Sequence, residues 1–249
     1  MPPAVLITGA ARRIGAELAR SFAAAGWQVI AHVHHADREA EAFAASLGSC
    51  ELVECDLRDG EAAVAMVERL AARLDDWQVL VNCAAVFRPD TARALDPAVF
   101  AEALAVNAET PIRMTQAFLA QARAAGGLRA IQFLDQKLLN PNPDFYSYTL
   151  AKHAFAASVT MLAMAQERGT DRIYGLAPGA MLPSFDQAPE EHETSGRMNL
   201  LARLTDPAEL AEAALFLAQG WLASGETLFV DSGQHLLAQP RDVLYLARQ

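Results

Sequence analysis

The sequence predicts an α/β domain built on a doubly wound parallel sheet of seven strands, with helices on both faces. Three observations carry that prediction. Short apolar or β-branched runs alternate with longer, Ala-rich amphipathic segments along the chain. The short runs are apolar at consecutive positions rather than at every second one, as in strands covered on both faces. The first run leads straight into a glycine-containing turn and a helix, and strand–helix units joined by right-handed crossovers wind such a sheet. A length of 249 residues suits one domain over 1–249, and 53% hydrophobic against 20% charged residues supplies a large core. The net charge of −10 disfavours a nucleic-acid or anionic-membrane surface, and no apolar run is long enough for a membrane span.

In order, the expected strands are AVLITG (4–9), WQVIAHV (27–33), CELVEC (50–55), WQVLVNCAA (77–85), LRAIQFLD (128–135), RIYGLAPG (172–179) and GETLFVD (225–231). Helices are expected over Arg13–Ala25, Gly60–Leu74, Ala101–Ala124, Tyr148–Arg168 and Pro207–Gln219. The polar, acidic stretch Met181–Arg197 has no periodicity and holds two prolines. A loop of that length in a compact domain is read as a lid over the carboxyl ends of the strands, extending to about residue 205. Cys50, Cys55 and Cys83 lack metal-like spacing, and MPPAVLITGA lacks the marks of an export signal; a reducing, cytoplasmic setting is expected.

The turn TGAARRIG, Thr8–Gly15, joins the first strand to the first helix. Free N–H groups and the helix dipole make such a turn an anion site. Gly9 permits the turn and Gly15 permits close packing or approach by a pyrophosphate, with Ile14 beside it. Arg12 and Arg13 oppose the helix dipole, so a bound anion accounts for them better than solvation does. The second strand ends AHVHH. An acid there would hold a ribose 2′-hydroxyl, but the position is Val33, with His32, His34, His35 and Arg12 nearby. That set suits a 2′-phosphate and hence NADPH. Asp37 competes as the acid or caps the next helix.

Tyr148 and Lys152 lie one helical turn apart, so the ammonium is expected to lower the tyrosine pKa and fit it for proton transfer. Asp135 stands thirteen residues before the tyrosine, at the end of an apolar run where burial raises a carboxyl pKa.

The ordered set TGAARRIG, CDL (Cys55–Leu57), VNCAA (Val81–Ala85), VNAETP (Val106–Pro111), YTLAK, LAPG (Leu176–Gly179) and FVDSG (Phe229–Gly233) resembles the short-chain dehydrogenase/reductase family from about residue 4 to 235. The resemblance implies a Rossmann fold. It further implies that Asp56, with Leu57, contacts the adenine, that Asn82 and Ala84 hold the cofactor ribose and the floor of strand four, and that Asn107 joins a proton relay. Tyr148 is then the general acid/base, Lys152 binds the nicotinamide ribose, and Pro178 and Gly179 shape the nicotinamide pocket. A homotetramer packed through Ala101–Ala124 and Tyr148–Arg168 is implied as well.

Three positions depart from the broad family: Asp135 replaces a serine, Arg13 the middle glycine of the turn, and Cys83 an asparagine. The first two occur together in the pteridine reductases and dihydromonapterin reductases, which the sequence resembles further in AHVHH and in Phe87 of VNCAAVF. That branch implies reduction of a dihydropterin by NADPH, with Arg13, Phe87, Asp135, Tyr148 and Met181 on the substrate. Two other readings stand beside it: a carbonyl reductase for a ketone, sugar or acyl group, with Asp135 substituting for serine, and a catalytically silent NADP(H)-binding protein.

Overall fold

The computed structural model describes residues 2–184 and 186–249, so Phe185, inside the expected lid, lies outside the described residues. The strands are β1 Ala4–Thr8, β2 Gln28–Val33, β3 Cys50–Glu54, β4 Trp77–Asn82, β5 Arg129–Phe133, β6 Arg172–Pro178 and β7 Thr227–Val230. They form one seven-stranded sheet in the order β3-β2-β1-β4-β5-β6-β7, with every neighbouring pair parallel. The helices are α1 Arg13–Ala24, α2 Arg38–Ser46, α3 Gly60–Ala71, α4 Pro97–Leu104, α5 Thr110–Gln121, α6 Tyr146–Met164, α7 Pro189–Gly196, α8 Pro207–Ala218 and α9 Val243–Leu246.

The consecutive apolar runs are explained by two separate cores. Leu6, Leu80 and Ala130 face one layer, where Met66, Leu70, Met114, Phe118 and Phe155 of α3, α5 and α6 pack. Val5, Ile7, Val79, Val81 and Ile131 face the other, against Leu18 and Phe22 of α1 and Leu210 and Leu217 of α8. Neighbouring residues of one strand serve opposite cores, so no alternation survives in the sequence. The helix starts are set locally: Asp37, Asp59, Asp96, Asp206 and Asp242 each accept a backbone N–H from the first turn. Asp37 is therefore the cap of α2.

Two expectations on helices need correction. The single helix Ala101–Ala124 begins earlier, at Pro97, and is broken by a π-helical turn at Ala105–Glu109. Pro111 has no N–H to give to the carbonyl four residues back, that of Asn107, so the α pattern cannot pass through unbroken. The expected lid contains a helix, α7, that no apolar periodicity announces. Its first turn is tied by the Glu191 carboxylate accepting from Ala188 N–H, and its flank by Gln187 donating to Ser195.

Strand β4 stops at Asn82 rather than Ala85, because the N–H groups of Cys83 and Ala84 both donate to Thr8 Oγ1 at 2.9 Å instead of continuing the ladder. The chain thereby turns out of the sheet beside β1, where strand order reverses and a crevice must open. The turn after β1 needs both its glycines. Gly9 has φ +68, and a Cβ on Gly15 would stand 2.1 Å from Gly9 O. Gly15→Ala is expected to lower stability by about 2–3 kcal/mol and to weaken dinucleotide binding. Gly26→Ala, strained at φ +85 but facing open space, is expected to lower stability alone. Urea unfolding and cofactor titration of both variants check this; intact binding by Gly15→Ala would contradict it.

Candidate active site

A cleft of about 610 Å³ lies at the carboxyl ends of the strands, between β1 and its neighbours. Gly9, Arg12, Arg13, Ile14 and Gly15 form one wall; His32, His34, Asp56, Leu57 and Arg58 the next; Cys83 to Arg88 the third; Phe133, Leu134, Tyr148, Lys152 and Pro178 the inner end.

The first wall fits an anion. Helix α1 has no side-chain cap and no acid in its first turn, unlike the aspartate-capped helices. Arg13 takes φ +53, the left-handed conformation a glycine would adopt, which turns its side chain to donate to Pro183 O at 2.9 Å. Arg12 is held by Asp37 at 2.8 Å and Glu39 at 3.2 Å. A dinucleotide suits this wall: Gly9 and Gly15 leave a cradle that a Cβ would fill, and the orphan N–H groups of α1 open onto it.

The histidines do not form one cationic group. His32 is buried; its Nδ1 accepts from Gly9 N–H at 3.2 Å and its Nε2 lies 3.0 Å from Cys55 O. Burial, only partly offset by the Cys55 hydrogen bond, lowers its pKa to about 4. A neutral His32 braces the turn rather than offering a charge. His34 lines the cleft 3.6 Å from Asp56. His35 stacks on His34 at 4.0 Å and faces Glu54, off the cleft. Asp56 lines the cleft with its carboxylate gripped by Arg58, which holds its pKa well below the usual range. Arg58 and Arg88 are cleft cations that the sequence reading missed, since only the fold brings them beside the turn.

Other expected residues are placed outside the cleft lining. Asn82 turns inward, donating to Gln132 and Thr115, and does not line the cleft although Ala84 does. Asn107 spends its side chain on Val86, accepting from its N–H at 2.8 Å and donating to its O at 2.9 Å. It fixes the cleft wall from behind. Met181 is buried in the apolar core beside Leu176. Gly179 also lies outside the cleft lining, and a Cβ there would strike Asp231 and Gln234 at 2.7 Å.

Behind the inner end, Asp135, itself outside the cleft lining, follows β5, and Tyr148 sits in the first turn of α6. The Tyr148 hydroxyl donates to Asp135 Oδ2 at 2.9 Å, and Asp135 Oδ1 accepts from Lys137 N–H at 2.8 Å. Burial raises the Asp135 pKa, as expected from sequence. The expectation for Tyr148 is reversed: burial and the Asp135 carboxylate push it well above its ordinary value. Lys152 does not touch the hydroxyl; it donates to Phe133 O at 2.5 Å, and burial lowers its pKa to about 8. Burial also drives Cys83 to about 12, leaving it a neutral thiol. Phe87 meets Tyr148 edge-on at 4.7 Å and stacks at 4.0 Å on Phe145, another residue missed from sequence. The start of α6 is anchored by Asp90, which accepts from Ser147 N–H at 3.0 Å.

The family model described as Enoyl-(Acyl carrier protein) reductase matches residues 9–235. Galactitol 2-dehydrogenase (L-tagatose-forming) of Cereibacter sphaeroides is 32% identical, over 91% of this chain and 92% of that protein. Pteridine reductase 1 of Leishmania tarentolae is 25% identical over 94% and 96%. The crystal structure of FolM alternative dihydrofolate reductase 1 from Brucella suis in complex with NADP superposes with a TM-score of 0.88, at 29% identity and 96% coverage of both chains.

His32 supports a pH prediction. Its pKa is about 6.5 unfolded and about 4 folded, so the unfolded chain alone gains its proton in that window. Its contribution is complete above pH 6.5 and falls by about 3 kcal/mol as pH drops through 4. His32→Gln, expected to be weaker at pH 7, should lose less stability than the native protein between those values. Urea unfolding at pH 7 and 4.5 measures the difference; equal losses would refute it.

Proposed function

The chain belongs to the short-chain dehydrogenase/reductase family and is an oxidoreductase of that type, with nicotinamide-dinucleotide chemistry; from that premise we propose that it is an NADPH-dependent reductase of a dihydropterin. The observation carrying the reading is Asp135 hydrogen-bonded to Tyr148 where the family's serine is expected, beside Phe87. A serine offers only a hydroxyl to a carbonyl oxygen. A carboxyl group also pairs with an amino-pyrimidine edge and, when protonated, donates to a ring nitrogen. The likeness to the pteridine reductase and the NADP complex of FolM agrees with this reading.

NADPH would lie along the wall from Gly9 to Gly15, with its 2′-phosphate toward Arg12, His34 and Arg58, and it supplies the hydride. The chain's own residues manage the proton. Asp135, raised by desolvation, and Tyr148, raised by burial and by Asp135, share one strongly held proton at the inner end of the cleft. The substrate C=N carbon receives the hydride and the nitrogen receives that proton, so the bond is reduced in balance. Lys152, anchored on Phe133 O, offers its remaining N–H groups to the cofactor ribose and places a cation beside the pair. Phe87, backed by Phe145, presents an aromatic wall to a flat ring. The segment 181–205 is proposed as the lid, pinned to the turn by Arg13 at Pro183 O.

A second reading, reduction of a sugar-type carbonyl, is favoured by the 32% identity to galactitol 2-dehydrogenase. Anaerobic NADPH oxidation with dihydrobiopterin, dihydromonapterin, dihydrofolate and a panel of ketones and ketoses separates the two: turnover confined to pterins is expected, and turnover confined to carbonyls overturns the pterin reading. Tyr148→Phe and Asp135→Asn are each expected to lower kcat by about 100-fold or more while NADPH still binds; full activity in either removes that residue from the chemistry. Arg12→Ala/Arg58→Ala is expected to weaken NADPH binding by about tenfold or more and to leave NADH binding nearly unchanged. Equal losses for both cofactors would take these arginines away from the 2′-phosphate.

A further inference from the structure

Behind Asp135 lies a second set of buried charges that the mechanism above does not use. Lys137, two residues after Asp135 in the 3₁₀ turn Gln136–Leu138, has a side chain only 4% exposed. Its Nζ meets Asp242 Oδ2 at 2.5 Å and donates to Asp144 O at 3.3 Å. Asp242 caps α9 and donates its own N–H to Asp144 Oδ2, which Arg241 also grips at 2.6 Å. The C-terminal segment thus closes over the turn that carries the catalytic carboxyl. The same segment holds the lid helix through Arg248, which reaches Glu191 and Asp186.

A buried ammonium beside a buried carboxyl is an expensive arrangement unless it is paired. An apolar plug could hold the C-terminus down at no such cost. What an apolar plug could not do is control the charge seen by Asp135. The Lys137 backbone N–H binds Oδ1, which leaves Oδ2 for Tyr148. The Lys137 ammonium is held near the same carboxyl by Asp242. We infer that Lys137, clamped by Asp242, is a positioning residue: it aims the Asp135 carboxyl at Tyr148 and sets the pH at which that carboxyl carries its proton. The charged and titratable groups around Asp135 are Tyr148 and Lys152 from α6, Lys137 from the 3₁₀ turn and Asp242 from the C-terminal segment, with Asp144 and Arg241 behind them and Cys83 beyond Lys152. The backbone N–H of Lys137 is on the Asp135 carboxyl and its ammonium is one side chain away, whereas Asp242 is reached only through that ammonium, so the pair as a whole favours the ionised carboxyl.

The role of Asp135 rests on the reading in the preceding subsection, so the test is made without substrate. Infrared titration of the full chain, with the aspartates carbon-13 labelled at the carboxyl, follows protonation of Asp135, whose band is the one lost in Asp135→Asn. Lys137→Met is expected to raise its midpoint by about one pH unit or more, and Asp242→Asn to lower it. Lys137→Arg should keep the native midpoint, and Lys137→Met/Asp242→Asn should fall between native and Lys137→Met. A merely structural ion pair would destabilise the fold without producing that order. If the single variants fail to fold, the double variant, which strands no charge, decides: an unchanged midpoint there, or in Lys137→Met, overturns the inference. The ordered shifts without pterin turnover would leave this inference standing and remove the pterin reading, and pterin turnover without the shifts would do the reverse.

Discussion

A parallel sheet covered on both faces leaves little room for polar chemistry, and that constraint shapes the rest of this molecule. The two cores on either side of the strands are made of aliphatic and aromatic side chains, and a charge there would be unpaired. Polar groups therefore collect where the strands stop. Thr8, at the last position of β1, ends β4 by taking two of its successors' N–H groups. His32, one residue from the end of β2, braces the glycine turn. Asp135 begins just past β5, and Pro178 closes β6. The cleft is the common edge of these strand ends, which makes its walls rigid where the turn and loops alone would not be.

Ionisable groups gather at the inner end of the cleft. Tyr148 and Lys152 are buried and Asp135 is half-buried, and desolvation is the leading cause of every one of their shifts. The carboxyl and the phenol are both driven toward their protonated forms, and the amine is driven toward the neutral one. The shared proton is thereby held on the carboxyl–phenol pair rather than released to water. The hydrogen bond from Tyr148 to Asp135 makes the two a single titrating unit rather than an acid and a spectator.

Distance along the chain hides most of this organisation. The charges that reach Asp135 come from residue 137 and from residue 242, and the cations facing the cleft include Arg58 and Arg88 from two separate connections. The segment after β6 is tied at one end to the turn after β1, through Arg13 and Pro183, and at the other to the C-terminus, through Arg248. The turn after β1, the segment after β6 and the chain terminus are thus joined by polar contacts that cross nearly the whole sequence.

The sequence by itself determined the seven strands, the parallel doubly wound arrangement and the place of the glycine turn after β1, because burial pattern and glycine spacing are local properties that neighbouring residues carry between them. It also placed Asp135, Tyr148 and Lys152 together, since their spacing puts them at one strand end and one helix turn. Tertiary structure alone decided which candidates face the cleft. His32 and Asn82 look alike from the sequence as polar residues at strand ends, yet one braces a turn and the other binds inward to Gln132 and Thr115. The break at Ala105–Glu109, helix α7, the turning of Met181 into the core and the reversal of the Tyr148 shift all depend on partners distant in the chain. Hydrophobic periodicity records which side of an element is dry; it does not record which polar groups a fold brings within hydrogen-bonding distance, and that is what fixes the charge at a buried site.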